Sequence, residues 1–291
     1  MEIGQTTIAN PFTVEGIGVH TGEHSKLTVK PAPIDTGIVF FTKDGIKIPA
    51  VVENVNHTGN GVTLLGSNGE KIKTCEHILS AFYGLGIDNA ICEISGDEVP
   101  ILDGSSLEFT NLIKVKHQAG QHKNEFKVRE PIFIESNSSC IFVTPVEAES
   151  RFIGDKLQSR PNGNNELKIT FLIDYPQTTI KTQCQTFTIT QDVYCKEIAP
   201  ARTYTFANEI DKLRSKGLIK GGSLDNAVVI GDDGPINNLR FPDEQVRHKV
   251  LDFIGDISLL GVRLKGNVVA IKSGHTLNIE LARRLKKWSL T

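Results

Sequence analysis

Two side chains that can bind a metal ion lie four residues apart in the segment His248-Lys-Val-Leu-Asp252. On a helix, positions i and i+4 share one face, so this imidazole and this carboxylate could contact the same ion. The pair suits zinc, and a third ligand from elsewhere would leave one coordination position open for water. An exposed His–Asp pair on a solvated helix has the same spacing. From this segment alone that simpler interpretation is favoured.

A second segment with chemical potential is Thr74-Cys-Glu-His77. If Thr74 caps a helix, Glu76 lies in the first turn, where the helix dipole favours the carboxylate. A glutamate next to a metal ligand is well placed to take a proton from metal-bound water. A first-turn acid beside a histidine at a domain interface explains the segment equally well. Cys75 is more simply interpreted as a small buried thiol.

A third histidine, His275, follows Lys272-Ser-Gly near the end of the chain. Asp256, four residues after Asp252, would favour the imidazolium form and make His275 a candidate general acid. Lys272 could contact a phosphate. A histidine at a helix start and a solvated lysine are the alternative. The glycine-rich segment 217–223 fits neither the P-loop nor the dinucleotide-binding pattern, and instead predicts a bend beside a chain-like ligand.

The elements that must position these residues follow from hydrophobic periodicity. Strands are predicted first, and a helix then runs from Thr74 to a stop at Gly84 and Gly86. The last helix extends from Thr276 to Trp288. The remaining predicted elements are strands at 26–30, 37–41, 46–52, 89–95, 130–144, 167–173, 184–190 and 267–273, and helices at 205–216 and 243–260.

An internal repeat relates the two halves of the chain. His77 and His248 each begin the pattern His-x4-Phe-x-Gly, and each following strand reads Asn-x5-Ser-Gly. The repeat predicts an α+β fold of two units, 1–120 and 128–291, each with helices on one face of a mainly antiparallel sheet, and the polar stretch 117–127 as linker. If the two helical layers face each other, equivalent positions meet at the interface, which brings His77 to His248 in an active site between the domains.

Composition limits the functional class. The 291 residues carry a formal net charge of −2, so no global basic field exists to bind nucleic acid. Five scattered cysteines indicate reduced thiols. The start lacks a signal-peptide pattern, and no apolar run approaches the roughly 20 residues of a transmembrane segment. A cytoplasmic protein is expected, with weak membrane-surface contact conceivable through the basic last helix.

The ordered motifs of the chain resemble those of the UDP-3-O-acyl-N-acetylglucosamine deacetylase family, zinc enzymes of lipid A biosynthesis. The likeness covers nearly the whole sequence. The motifs that carry it are Gly16-Ile-Gly-Val-His-Thr-Gly22, Thr74-Cys-Glu-His77, Gly86-Ile-Asp-Asn89, Glu98-Val-Pro-Ile-Leu-Asp-Gly-Ser105, Ile198-Ala-Pro-Ala-Arg-Thr203, 217–226, Val246-Arg-His-Lys-Val-Leu-Asp252 and Lys272-Ser-Gly-His-Thr-Leu-Asn278.

The resemblance implies two repeated β-α-α-β sandwich domains packed helix layer to helix layer, with the active site at the domain interface. It also implies a role for each candidate residue. It implies Zn²⁺ as cofactor and an acylated UDP-glucosamine as the small-molecule substrate. The implied zinc ligands are His77, His248 and Asp252. The implied catalytic residues are Glu76 as general base, His275 as acid with Asp256 as its partner, and Thr203 at the carbonyl oxygen. The implied substrate contacts are Lys249, Lys272, Phe206, Glu209 and Tyr204, with an acyl-chain passage at Ile210, Ile219, Gly222, Ser223 and Ala227.

Other interpretations stay open at this point. The chain could be a metal-dependent deacetylase of another N-acetyl amino sugar, or a non-catalytic protein that binds a nucleotide sugar or acyl chain. Iron is conceivable with the same ligands, and a monomer is expected. The chain departs from the family pattern at Cys75, usually Val, at Tyr204, often Phe, and in the loop 56–61, which bears on substrate details.

Overall fold

Strands are more numerous than helices in the described part of the chain. The computed structural model describes residues 4–122, 124–146, 149–153, 156–160 and 166–289. Strands of the first half are β1 Gly4–Ile8, β2 Phe12–Ile17, β3 His24–Pro31, β4 Ile38–Phe41, β5 Lys47–Pro49, β6 Val55–His57, β7 Thr63–Leu65, β8 Lys71–Lys73, β9 Ala90–Ile94 and β10 Val115–His122. Strands of the second half are β11 Glu125–Lys127, β12 Ile132–Ser136, β13 Ser139–Thr144, β14 Glu149–Ile153, β15 Lys156–Arg160, β16 Leu167–Tyr175, β17 Lys181–Thr188, β18 Tyr204–Phe206, β19 Val228–Gly231, β20 Gly234–Pro235 and β21 Arg263–Ile271.

The helices differ widely in length. Two have 15 residues, and the others are shorter. The α-helices are α1 Glu76–Leu85, α2 Leu107–Leu112, α3 Gln191–Val193, α4 Ile210–Ser215, α5 Glu244–Ser258 and α6 His275–Ser289. A π-helical segment at Tyr194–Ile198 continues α3, and 3₁₀ turns cover Val52–Asn54 and Ala207–Glu209. In the described part of the chain, none of these helices combines the length and the apolar character that a membrane span needs.

The two larger sheets have the same pattern of strand directions. The first has the order β2-β3-β9-β4-β5, and the second has the order β12-β13-β21-β16-β17, with β11 also beside β21. In each five-strand path the last strand in sequence is central, and it pairs parallel with the third strand and antiparallel with the second. The mixture of helices and mainly antiparallel sheets confirms the predicted α+β class.

Four smaller sheets accompany the two larger ones in the described part of the chain. Strands β6, β7 and β8 form one antiparallel sheet immediately before α1. Strand β18 pairs parallel with β19, which in turn pairs with β20. Strand β1 pairs with β10, and β14 pairs with β15. The five cysteines all lie within the described ranges and are unpaired, as predicted.

Helices α1 and α5 pack against each other in the interior. Both present apolar side chains to the core, including Phe82 from α1 and Phe253 and Ile254 from α5, each at most 1% exposed. Burying each of these side chains stabilises the fold by about 1.5–3 kcal/mol. Gly255 allows a very close approach, because a Cβ at this position would lie 2.3 Å from the backbone oxygen of Glu76. The backbone of α1 therefore rests directly on α5.

Two local predictions were wrong. Thr74 does not cap α1, because it has a φ of 55° and its hydroxyl donates to the buried carboxylate of Glu98 at 2.8 Å. The helix predicted at 205–216 begins only at Ile210, because residues 204–206 pair with β19 as a strand. The stretch 117–127, predicted as the linker, lies largely in β10 and β11, which pair with β1 of the first half and β21 of the second half.

Candidate metal centre and active site

The interface between α1 and α5 brings three metal-binding side chains together. His77 comes from the first turn of α1, and His248 and Asp252 come from successive turns of α5. One donor atom of each residue lies within 4.8 Å of the others, and all three residues are buried. The two imidazole rings are edge to face, with centroids 5.1 Å apart. The three side chains therefore form a possible metal site.

The hydrogen bonding of the two imidazoles fits metal binding. Nδ1 of His248 lies 3.0 Å from the backbone oxygen of Ala201, so this nitrogen carries the proton and Nε2 has the free lone pair. Nε2 faces Oδ1 of Asp252 at 3.3 Å. Burial, with the neighbouring His248, lowers the pKa of His77 to about 3, so its ring is neutral. Its buried Nδ1 has no hydrogen-bond partner in the described part of the chain.

The carboxylate of Asp252 is held in its ionised form. Burial by itself would raise its pKa, but Lys249 and His248 hold the pKa well below the usual range. The ammonium group of Lys249 donates to Oδ2 at 2.8 Å, which leaves Oδ1 directed at His248. Metal binding requires neutral imidazoles and a deprotonated carboxylate. The neutral ring of His77 and the ionised carboxylate of Asp252 are therefore the forms that a divalent metal needs.

Glu76 is fixed next to this centre by the backbone before α1. Its Oε2 accepts a hydrogen bond from the N–H of Val62 at 3.0 Å. Gly61 has a φ of 110°, and a Cβ there would lie 2.8 Å from Oε1, so a larger residue would displace the carboxylate. Burial raises the pKa of Glu76 to about 7, against the opposing effect of His275. A carboxyl group with this pKa can accept a proton near neutral pH.

His275 begins α6 and points its ring into the same space. Its Nδ1 lies 2.9 Å and 3.0 Å from the two oxygens of Asp256. Asn278 donates to Asp256 at 2.7 Å and itself accepts from Ser273 at 2.6 Å, which fixes the carboxylate. Burial lowers the pKa of His275, but Asp256 and Asp252 more than offset it and raise the pKa to about 9. The ring is thus an imidazolium near neutral pH.

The outer nitrogen of His275 faces the metal-binding side chains. Its Nε2 lies 3.9 Å from Oε1 of Glu76 and 3.9 Å from Oδ2 of Asp252. A proton acceptor and a proton donor therefore flank the three possible metal ligands. This arrangement can carry out metal-assisted hydrolysis, in which one group removes a proton from water and the other protonates the leaving group.

A cavity of about 520 Å³ connects this polar cluster to an apolar region. Its size is typical of small-molecule sites. Glu76, His77, His248, Asp252 and His275 line the polar end. The apolar part of the wall includes Ile210, Leu213, Ile219, Ala227, Val229 and Ile236. The shape suits a molecule that has a polar head and an aliphatic chain.

The structure places most predicted substrate contacts in the wall of this cavity. Tyr204 and Lys249 line it, together with the predicted acyl-chain passage at Ile210, Ile219, Gly222, Ser223 and Ala227. Thr203, predicted as a catalytic residue, lines it as well. Phe206, Glu209 and Lys272 are not among the lining residues. Phe206 packs against Tyr175 with ring centroids 5.1 Å apart, and Lys272 lies 3.9 Å from Asp174.

Several residues at the site were not predicted individually. His20 lines the cavity, and its only signal was its place in the motif 16–22. Tyr175 lies at the end of β16, and its hydroxyl is 2.9 Å from the hydroxyl of Tyr204. Nothing in the local sequence indicates this contact. The hydroxyl of Ser106 donates to the backbone oxygen of His77 at 2.7 Å. A hydrogen bond to a backbone oxygen leaves no pattern in the sequence, because every residue has this group.

Comparison with known proteins gives a consistent result. The family model LpxC, UDP-3-O-acyl N-acetylglycosamine deacetylase, matches residues 5–287. A curated protein of Teredinibacter turnerae is 42% identical over 295 residues, 98% of this chain and 91% of the relative. One of Chlamydia abortus is 40% identical over 296 residues, 98% of each chain. A third, from Syntrophotalea carbinolica, is 39% identical over 290 residues, which are 97% of this chain and 88% of the relative. All three are named UDP-3-O-acyl-N-acetylglucosamine deacetylase.

Proposed function

Because the chain belongs to the UDP-3-O-acyl N-acetylglycosamine deacetylase family, we propose that it removes the acetyl group with zinc held by His77, His248 and Asp252. The chain is a hydrolase of the lipid A pathway that cleaves the amide bond of UDP-3-O-acyl-N-acetylglucosamine. One observation carries the proposed chemistry. The three possible ligands lie between a buried carboxyl group and a partly buried imidazolium at one end of a partly apolar cavity.

Zinc is the metal that this ligand set favours. Two imidazoles and one carboxylate are a typical catalytic zinc set, and they leave a coordination position open. When bound, zinc polarises a carbonyl group and lowers the pKa of bound water to about 7. Iron can use the same ligands, so metal analysis of the isolated protein is needed to assign the metal.

Glu76 and His275 divide the proton transfers between them. Glu76 takes a proton from the attacking water, whose oxygen adds to the acetamide carbon. The hydroxyl of Thr203 and the imidazolium of His275 stabilise the developing oxyanion. His275 then donates its proton to the nitrogen as the C–N bond breaks, which gives acetate and a free amine. Asp256 keeps the ring oriented and charged, as its contact with Nδ1 supports.

The rest of the cavity selects the substrate. Its apolar wall, including Ile210, Ile219 and Ala227, would hold the acyl chain, with Gly222 and Ser223 at the bend that follows. Lys249 lies beside Asp252 and 6.0 Å from the ring of Tyr204, where it could meet a polar part of the sugar. Lys272, Phe206 and Glu209 would contact the nucleotide outside the cavity wall.

The two halves of the chain are proposed to be copies of one β-α-α-β unit, with boundaries at 1–120 and 128–291. The shared order of strand directions in the two larger sheets supports this. The matched patterns that begin at His77 and His248 support it too. The catalytic groups would then belong to the interface, with Glu76 from one unit and His275 from the other.

An acetate-release assay tests the proposed function directly. The purified protein is expected to release acetate from UDP-3-O-acyl-N-acetylglucosamine. A chelator that strips the metal should abolish the activity, and added zinc should restore it, because the ion is part of the reaction. Activity that persists after the metal has been removed would contradict the proposal.

The same assay separates the alternatives. UDP-N-acetylglucosamine without an acyl chain is the matched control, since it has the same amide bond but cannot fill the apolar cavity. The acylated compound should have the higher kcat/KM, because remote binding energy is used in the transition state. Equal values for the two substrates would favour a deacetylase of another N-acetyl sugar. Binding without acetate release would favour a non-catalytic protein.

The pH dependence of kcat/KM should be bell-shaped. Activity rises with pH as Glu76 loses its proton, and it falls as His275 loses the proton that it must donate. Without a metal the two pKa values are about 7 and about 9. A bound dication lowers both, because it favours the carboxylate and disfavours the imidazolium. Rate profiles of the unaltered protein and of His275→Gln check this, and the alkaline limb should be missing in the variant.

A further inference from the structure

A buried ion pair lies just outside the metal centre, where the segment Ala199–Thr203 meets the start of α5. Arg202 is 8% exposed, and Glu244 is completely buried. Nε of Arg202 donates to Oε1 of Glu244 at 2.9 Å, and Nη2 donates to Oε2 at 3.2 Å. A two-point contact of this kind fixes the guanidinium relative to the carboxylate in both distance and orientation.

The same carboxylate also binds the backbone. It accepts from the N–H of Arg202 at 3.0 Å and from the N–H of Arg240 at 2.7 Å. Nη2 of Arg202 additionally donates to the backbone oxygen of Asn238 at 2.6 Å. A buried ion pair contributes little net stability unless its geometry is this complete. The pair therefore fixes three chain segments relative to one another.

The segment that Arg202 anchors contacts a predicted metal ligand. Ala201, one residue before Arg202, provides the backbone oxygen that lies 3.0 Å from Nδ1 of His248. Thr203, one residue after it, lines the cavity. Glu244 lies four residues before His248 on α5, so the two share one face of the helix. The ion pair thus sets the position of the Ala201 carbonyl group relative to the His248 ring.

The same segment is bonded to the first half of the chain. The N–H of Ser106 donates to the oxygen of Ala199 at 3.0 Å, and the N–H of Thr203 donates to the oxygen of Gly104 at 2.8 Å. The hydroxyl of Ser106 donates to the backbone oxygen of His77 at 2.7 Å. Segment Ala199–Thr203 therefore connects the elements that carry the two histidines of the proposed metal site, His77 and His248.

We propose that Arg202 and Glu244 are positioning residues of the metal centre, holding Ala199–Thr203 so that the Ala201 carbonyl orients the ring of His248. The inference rests on the proposed metal site. Neither residue lines the cavity, so both act through His248 and Thr203 and not on the substrate. A hydrogen bond to the second ring nitrogen fixes the tautomer of a metal-binding histidine and strengthens it as a ligand.

Arg202→Lys tests the role, because it keeps the charge and removes the two-point contact. Arg247→Lys is the matched control. Arg247 is next to His248 on α5 and pairs with Asp243 and Glu197 at 2.6 Å each, and neither partner belongs to the segment Ala199–Thr203. Zinc affinity is measured by competition with a chromogenic chelator. It should fall about 10- to 100-fold in Arg202→Lys and stay near the unaltered value in the control.

The outcomes separate this role from a purely structural one. Equal zinc affinities in the two lysine variants, with the unaltered protein binding zinc tightly, would overturn the positioning role alone. Lack of tight zinc binding by the unaltered protein would overturn the metal site as well. Circular dichroism checks that each variant folds. If Arg202→Lys does not fold, Glu244→Gln takes its place in the comparison. With zinc saturating, kcat should fall while KM stays near the unaltered value, and a raised KM alone would contradict the inference.

Discussion

Replacing Glu76 by glutamine is expected to lower kcat by about 10²-fold or more while zinc remains bound, because the reaction loses its proton acceptor. The amide keeps an oxygen that can accept the hydrogen bond from Val62, so the backbone before α1 should stay in place. Glutamine cannot take a proton from water at any working pH. Initial rates of acetate release and zinc content, measured on the same preparation, check this prediction.

The control for Glu76→Gln is Glu53→Gln, an exposed glutamate in the 3₁₀ turn Val52–Asn54. It should leave both kcat and zinc content unchanged. Full activity of Glu76→Gln would show that another group removes the proton. Loss of zinc together with activity would show that Glu76 supports the metal instead of acting as the base.

Replacing His248 by alanine is expected to remove zinc from the isolated protein and, with it, activity. The unaltered protein should contain about one zinc ion per chain. A catalytic zinc site has three protein ligands and one open position, and the proposed ligands make up one such set. Removing one of the three leaves His77 and Asp252, which are too few to hold the ion against dialysis. Elemental analysis after dialysis measures the effect.

His24→Ala is the matched control for the loss of an imidazole. His24 is exposed at the start of β3, so zinc content and activity should both be retained. Tight zinc binding by His248→Ala would mean that the metal is held by a different set of residues. Zinc loss without loss of activity would mean that the ion is not needed for the reaction.

Much of the fold could be predicted from local patterns. The predicted helix at 243–260 is α5 Glu244–Ser258, and the strand predicted at 167–173 lies within β16. Both elements have strong periodicity over a sufficient length. The pairings of β11 with β21 and of β18 with β19 could not be predicted, because contacts between distant segments leave no trace in the periodicity of either one.

The candidate site, like the fold, could be predicted only in part. Residue type and spacing indicated that His248 and Asp252 could act together, and the repeat gave a reason for His77 to lie near them, which is where the structure places it. The support from Val62 and Ala201 could not be predicted, because it comes from backbone N–H and C=O groups that every residue shares. Thr74 shows the limit of capping rules, since a buried carboxylate competes for its hydroxyl.

The origin of the three proposed ligands on two helices far apart in the sequence has a thermodynamic consequence. An ion bound by α1 and α5 together would act as a reversible cross-link between the halves of the chain, and the unfolded chain could not form it. Free metal at about 1,000 times the dissociation constant would then add about 4 kcal/mol to the free energy of unfolding. Metal supply and fold stability would be coupled through the same three side chains.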